Sequence, residues 1–275
     1  MIHLKNVAFG YQGQPHLFKD LNLKLRSGSI TGLLGKNGAG KTSLLKLIAG
    51  LLFPISGELD VLAHEPRKRQ PSFLSKVFFV PEEFHLSSIS IARFVKANGP
   101  FYPDFDHALM ERLLTEFELA GQQVIDKLSY GQKKKVLISF SLATRCRLMI
   151  LDEPTNGLDI PSKTIFRKIV AGALDEHQLV LISTHQVKDV ETLIDRIIIL
   201  DEGNVIMEKD MLEISAQLQF KNSHVLDEDH VLYSEMVPGG YKVITPQRNG
   251  DSSVDIELLF NAVTKGNKIF SHASK

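Results

Sequence analysis

Apolar residues alternate with polar ones near the start of the chain: Ile2, Leu4 and Val7, then Leu21, Leu23 and Leu25. A period of two is the mark of half-buried strands, and Gly10 and Gly13 supply a turn between them. Residues 30 to 34 form a short apolar strand that runs into a Gly-rich stretch, residues 35 to 40. After it, Leu44, Leu45, Leu47 and Ile48 take helical spacing, and Gly50 closes the helix. Residues 77 to 80 predict another strand, stopped by Pro81. From about Ile89 to Thr144 the period is helical, as in Ala108, Leu109, Leu113, Leu114 and Phe117, then Val136, Leu137, Phe140 and Leu142. Residues 148 to 151, 180 to 182 and 197 to 200 are apolar throughout, as strands buried on both faces of a parallel sheet are. A helix over residues 161 to 174 separates the first two.

Strand and helix in alternation predict an α/β fold with a mainly parallel sheet core, an N-terminal antiparallel β region and an inserted helical lobe over residues 84 to 145. The main domain spans residues 1 to 210. Beyond Met211 the pattern weakens into a small C-terminal appendage, residues 211 to 275. There the segments around Pro238-Gly239-Gly240 and Gln247-Arg248-Asn249-Gly250-Asp251 predict turns between short strands, and residues 254 to 263 predict a helix.

The 275 residues suffice for such a domain and its core. Lys and Arg number 32, as do Asp and Glu, so no charge excess points to a nucleic acid or a membrane surface. The single cysteine, Cys146, rules out an intramolecular disulfide framework and is expected to be a small buried apolar residue in a reducing cytoplasm. No apolar run nears the ~20 residues that cross a bilayer, and the first residues lack the apolar core of a secretory signal. A soluble chain is expected, whose membrane role would need a partner.

The chemistry begins in the Gly-rich stretch. Gly35-Lys36-Asn37-Gly38-Ala39-Gly40-Lys41-Thr42 fits the pattern G-x-x-x-x-G-K-[ST], between a strand and a helix. Glycines let successive N–H groups turn inward on phosphate oxygens, and the helix that follows presents its positive end to the same anion. Lys41 then reaches the β- and γ-phosphates and the Thr42 hydroxyl ligates Mg2+, with Ser43 next to it. The apolar strand at residues 148 to 151 ends in two carboxylates, Asp152 and Glu153. The first is placed to hold Mg2+ and the second to act as general base toward water.

Between these sites lies Leu128-Ser129-Tyr130-Gly131-Gln132, which resembles the LSGGQ signature of ABC (ATP-binding cassette) ATPases, with Tyr130 departing at its third position. Other family motifs follow the right order. Tyr11 resembles the aromatic that stacks on adenine. Glu82 stands at the Q-loop position in place of glutamine. Asn156-Gly157-Leu158-Asp159 resembles the D-loop, and Ser183-Thr184-His185 the H-loop. Residues 81 to 83 with 102 to 106 resemble the exporter-type bacterial branch, in the YtrB-like group.

The resemblance covers about residues 1 to 210 and implies a P-loop NTPase fold of the ABC type, with ATP and Mg2+ as ligands. It implies a head-to-tail dimer with a second copy or a paralogue, beneath a transmembrane subunit at the cytoplasmic face of the membrane, and no nucleic-acid partner. Ser129, Gly131 and Gln132 would meet the other subunit's ATP, and Asp159 would shape the interface. His185 would contact the γ-phosphate, and Glu82 would join Thr42 and Asp152 at the metal. A side chain at Tyr130 must point away from the phosphates. Lys133 to Lys135 read as a solvated basic helix face. A soluble ABC-type switch acting on a non-membrane scaffold stays open as an alternative, and so does a regulatory role for the appendage.

Overall fold

The computed structural model describes residues 1–225, 230–247, 253–267 and 269–270. An antiparallel hairpin opens the chain: β1 (Ile2–Phe9) pairs with β2 (Phe18–Leu25). Next come β3 (Ser29–Gly35) and helix α1 (Lys41–Ile48), the predicted strand and helix around the Gly-rich loop. Strand β4 (Ser56–Val61) joins the other edge of β1, so a three-stranded sheet in the order β2-β1-β4 covers this end. A short helix α2 (Pro71–Leu74) leads to β5 (Val77–Val80).

The inserted lobe follows as α3 (Ile91–Asn98), α4 (His107–Glu116) and α5 (Tyr130–Ala143). Each starts on a side-chain cap: Ser90, Asp106 and Ser129 accept a hydrogen bond from a backbone N–H in the first turn. Then β6 (Leu148–Asp152), α6 (Ile160–Ala173), β7 (Leu179–Ser183), β8 (Arg196–Asp201) and β9 (Asn204–Asp210) complete the main sheet. Its order is β5-β6-β7-β3-β8-β9, parallel except for the antiparallel edge strand β9. The parallel core, the antiparallel N-terminal region and the helical lobe thus form as the hydrophobic pattern predicts.

Alternate residues of the parallel strands feed two cores. Leu33, Leu148, Ile150, Leu179, Leu181, Ile198 and Leu200 pack with α1 and the antiparallel sheet. Leu34, Met149, Leu151, Val180, Ile182, Ile197 and Ile199 pack with the lobe, α6 and the appendage. The lobe is pinned to the sheet by rings around Phe140 of α5: Phe78 of β5 at 5.5 Å, Phe94 at 5.1 Å and Phe105 at 5.0 Å between centroids. Cys146 is buried as expected, and burial pushes its thiol up to about 12.

The appendage is helix α7 (Met211–Gln217), a three-stranded antiparallel sheet of β10 (Leu218–Ser223), β11 (Tyr233–Val237) and β12 (Gly240–Pro246), and helix α8 (Ile256–Thr264). The turn expected at Pro238-Gly239-Gly240 joins β11 to β12, whereas Arg248–Asp251 of the second expected turn lie outside the described residues. Helix α8 sends Ile256, Leu258, Leu259 and Ala262 into the same core as the lobe, and Lys188 pairs with its Glu257 at 3.1 Å. Leu259 is fully buried, so Leu259→Ala should destabilise the whole protein by about 2–5 kcal/mol. A single cooperative thermal transition moving to lower temperature is the expected result; an early, separate transition of the appendage alone would contradict a shared core.

Candidate active site

Sheet order brings the chemistry together. Strands β6, β7 and β3 are neighbours and parallel, so their C-terminal ends deliver Asp152 and Glu153, Ser183 to His185, and the Gly-rich loop to one edge. That edge is where open α/β sheets take ligands. The loop needs its glycines: Gly38 and Gly40 sit at φ 82° and 105°, and a Cβ on Gly40 would stand 2.8 Å from the Phe18 ring.

Lys41 curls back over this loop. Its Nζ donates to the carbonyl of Gly35 at 2.7 Å and of Lys36 at 3.3 Å. Burial lowers its pKa, and the charges of Glu153, Asp152 and Glu82 oppose that shift. Thr42 Oγ1 donates to Asp152 Oδ2 at 2.8 Å, and Ser183 Oγ donates to Asp152 Oδ1. The Thr42 hydroxyl and the Asp152 carboxylate are both hard oxygen donors, which suits Mg2+ shared with phosphate oxygens. Among the described residues no cluster of three or more His, Cys, Asp or Glu could hold a metal by itself.

Glu153 is buried in the left-handed region at φ 46°. Its N–H donates to the Ser183 carbonyl at 3.1 Å and to Ser183 Oγ at 3.2 Å. His185 Nδ1 lies 2.7 Å from Glu153 Oε1, while the imidazole is 45% exposed. Tyr11 is 43% exposed, with its hydroxyl 2.9 Å from Ser43 Oγ at the start of α1 and its ring edge-on to Phe9. Lys36, Asn37 and Ala39 complete the loop, with Lys36 reaching to 4.0 Å from Asp201.

The signature residues form the start of α5. Ser129 accepts from Gln132 N–H at 3.2 Å while Gln132 Oε1 accepts from Ser129 N–H at 3.0 Å, a reciprocal capping box. No hydrogen bond among the described residues joins Ser129, Gly131 or Gln132 to the loop at residues 35 to 43. Gly131 abuts the loop after β6: a Cβ there would stand 2.7 Å from the Gly157 carbonyl. Asp159 caps α6 by accepting from Ser162 N–H at 2.9 Å, and the Ser162 hydroxyl, with that N–H, lowers its carboxyl pKa.

Both departures from the family pattern have a place. The Tyr130 ring stacks on Phe84 at 5.3 Å and its hydroxyl donates to the Glu82 carbonyl, so the side chain lies along its own subunit. The Glu82 carboxylate accepts from Asn156 Nδ2 at 2.9 Å and makes no hydrogen bond to Thr42 or Asp152 among the described residues.

Two features escaped the sequence reading. Lys133 and Lys135 are half-buried, but Lys134 is fully buried, which corrects the expectation of a solvated basic face. Burial pushes its ammonium down to about 8. The signal was its spacing: Lys134 stands three and four residues before Leu137 and Ile138 on the buried side of α5. The second feature is a cavity of about 440 Å3 beside the H-loop, lined by Gly35, His185, Gln186 and Asp189, and on its far side by Glu257 and Asn261 of the appendage. Nothing in the local pattern of α8 announces that neighbour.

Comparison with known proteins points to one family. A family model described as ABC transporter matches residues 18–156. The ABC transporter ATP-binding protein YtrB of Bacillus subtilis is 29% identical over 255 residues, covering 86% of this chain and 87% of that one. The Nod factor export ATP-binding protein I of Cupriavidus metallidurans is 30% identical over 215 residues, covering 76% of this chain and 70% of its own length. A solved structure described as the ATP-binding subunit of an ABC transporter superposes with a TM-score of 0.71 at 25% identity, over 78% of this chain and 91% of the other. With its phosphate loop, paired carboxylates and signature helix on one such fold, this chain belongs to the ABC transporter family, as an ATP-binding and ATP-hydrolysing cassette.

Proposed function

We propose that two copies of this chain, or one copy and a paralogue, close head to tail on two ATP molecules, and that closure drives a separate membrane-spanning subunit at the cytoplasmic face of the membrane. The observation that carries this reading is the meeting of Glu153 with His185 at 2.7 Å, next to the Thr42–Asp152 contact at 2.8 Å. A base, its orienting partner and a pair of hard oxygen donors stand together at the mouth of a phosphate loop.

In this reading the phosphates of ATP take the inward N–H groups of residues 35 to 43 and the N-terminus of α1. Lys41 exchanges two loop carbonyls for phosphate oxygens, which suits a buried ammonium better because they carry full negative charge. Tyr11, exposed and fixed through Ser43 and Phe9, offers its ring to adenine. Thr42 and Asp152, with Glu82 through water, would hold Mg2+, which when bound neutralises charge on the phosphates. Glu153 takes the proton of the attacking water. His185 holds the Glu153 carboxylate through Nδ1, and a γ-phosphate oxygen would take the place of the Gln186 amide nitrogen, now 3.4 Å from Nε2, with both ring nitrogens then donating.

The capped N-terminus of α5, with Ser129, Gly131 and Gln132, is assigned to the partner's ATP. Among the described residues no hydrogen bond joins it to the chain's own phosphate loop, which supports that assignment, as does Ile160, an apolar residue 82% exposed directly after Asp159. Residues 1 to 210 act as the ATPase domain in this scheme. The described residues of the segment 211 to 275 act as an appended packing unit beside the H-loop.

Glu153→Gln should retain ATP affinity, lower hydrolysis by roughly 10²–10⁴-fold and accumulate an ATP-bound dimer, read by light scattering. Hydrolysis at the wild-type rate would remove Glu153 as the base, and a variant that stays monomeric with ATP bound would contradict closure. Gly131→Ala should push the Gly157 carbonyl away and misplace the D-loop, lowering turnover by about tenfold or more while a single chain still binds ATP. Unchanged turnover would remove that contact from the mechanism.

A further inference from the structure

Lys134 has no carboxylate within salt-bridge distance among the described residues, although its side chain is wholly out of water. Lys133 pairs with Asp126 at 3.9 Å and Lys135 lies over the Phe117 ring at 5.7 Å, as half-exposed helix lysines do. Lys134 instead donates to two main-chain carbonyls from different loops: Glu153 at 2.8 Å and Glu82 at 3.4 Å. The rings of Tyr130 and Phe84 lie 5.6 and 6.0 Å from its Nζ. Burying an ammonium costs several kcal/mol, and an apolar side chain of that length would fill the same space.

We propose that Lys134 is a positioning residue for ATP hydrolysis: it fixes the Glu153 carbonyl and ties it to the loop that carries Glu82, so that the base and that loop move as one. The proposal builds on the ATPase mechanism given above. Glu153 occupies a left-handed backbone conformation that strains a residue bearing a Cβ, so its neighbours must hold it there. Ser183 holds the N–H of its peptide and His185 its carboxylate. The carbonyl is held by Lys134 and, at 3.2 Å, by the N–H of Asn156.

The remaining contacts close a ring. Tyr130 donates its hydroxyl to the same Glu82 carbonyl, and the Glu82 carboxylate accepts from Asn156, three residues beyond Glu153. A displacement of the segment after β5 is therefore passed to Glu153 by two routes, through Lys134 and through Asn156. Tyr130, the departure from the signature pattern, and Lys134 lie on the same end of α5 and clamp the same carbonyl.

The test is steady-state hydrolysis by Lys134→Met in the full chain, with ATP affinity and thermal midpoint measured alongside. Misplacing the base should lower kcat by roughly 10- to 100-fold, with KM and affinity held within about threefold. Lys134→Arg, which keeps the donors, should recover part of the rate. In a Glu153→Gln background the same change should cost less than about twofold, because two residues acting through one function are not additive. Should Lys134→Met fail to fold, Lys134→Gln takes its place and the same split between kcat and KM decides. An unchanged kcat in a folded variant overturns the proposal, as does a full additional loss in the Glu153→Gln background. A wild-type protein that does not hydrolyse ATP would overturn the ATPase mechanism itself, whereas active wild type matched by Lys134→Met overturns only the role of Lys134.

Discussion

Two adjacent carboxylates, Asp152 and Glu153, are held out of water at the end of β6, and the rest of the site answers the cost of keeping them there. A buried charge persists only when neighbours replace the hydrogen bonds of water. Asp152 is met by the hydroxyls of Thr42 and Ser183, and Glu153 by His185. Two buried ammonium groups, Lys41 and Lys134, sit within the field of both carboxylates and donate to main-chain carbonyls nearby.

The sheet makes this arrangement possible. Placing β7 between β6 and β3 puts Ser183 and His185 between the carboxylates and the phosphate loop, so three strand ends share one small volume. Alternation along those strands anchors the opposite faces in separate cores, one built on α1 and the other on the helical lobe. The lobe therefore carries the signature helix on a base of aromatic contacts around Phe140, and touches the catalytic loop chiefly through Gly131, Tyr130 and Lys134.

Much of this was legible in the chain. Apolar strands 77 to 80, 148 to 151, 180 to 182 and 197 to 200 all appear as strands, because residues buried on both faces leave an uninterrupted apolar run. Strand β4 was not legible: in Ser-Gly-Glu-Leu-Asp-Val only Leu59 and Val61 are buried, and its pairing with β1 is set by partners far away in sequence. Edge strand β9 was missed as well: of its apolar run Val205, Ile206 and Met207 only Met207 is buried. At the site, motif spacing named Lys41, Thr42, Asp152 and Glu153, the family resemblance named His185, and the structure brings all five to one sheet edge. The Asn156 contact of Glu82 joins two loops far apart in sequence, and the burial of Lys134 depends on which way a helix faces, where polarity alone gave the opposite expectation.

The most direct test of the central claim, an ATP-driven subunit acting on a membrane partner, is affinity capture from native membranes with Glu153→Gln protein and MgATP. The account predicts recovery of a multi-span membrane protein, retained with ATP and released when the nucleotide is removed. Recovery of soluble proteins alone, from a preparation shown to bind ATP, would contradict it and assign the same chemistry to a soluble assembly.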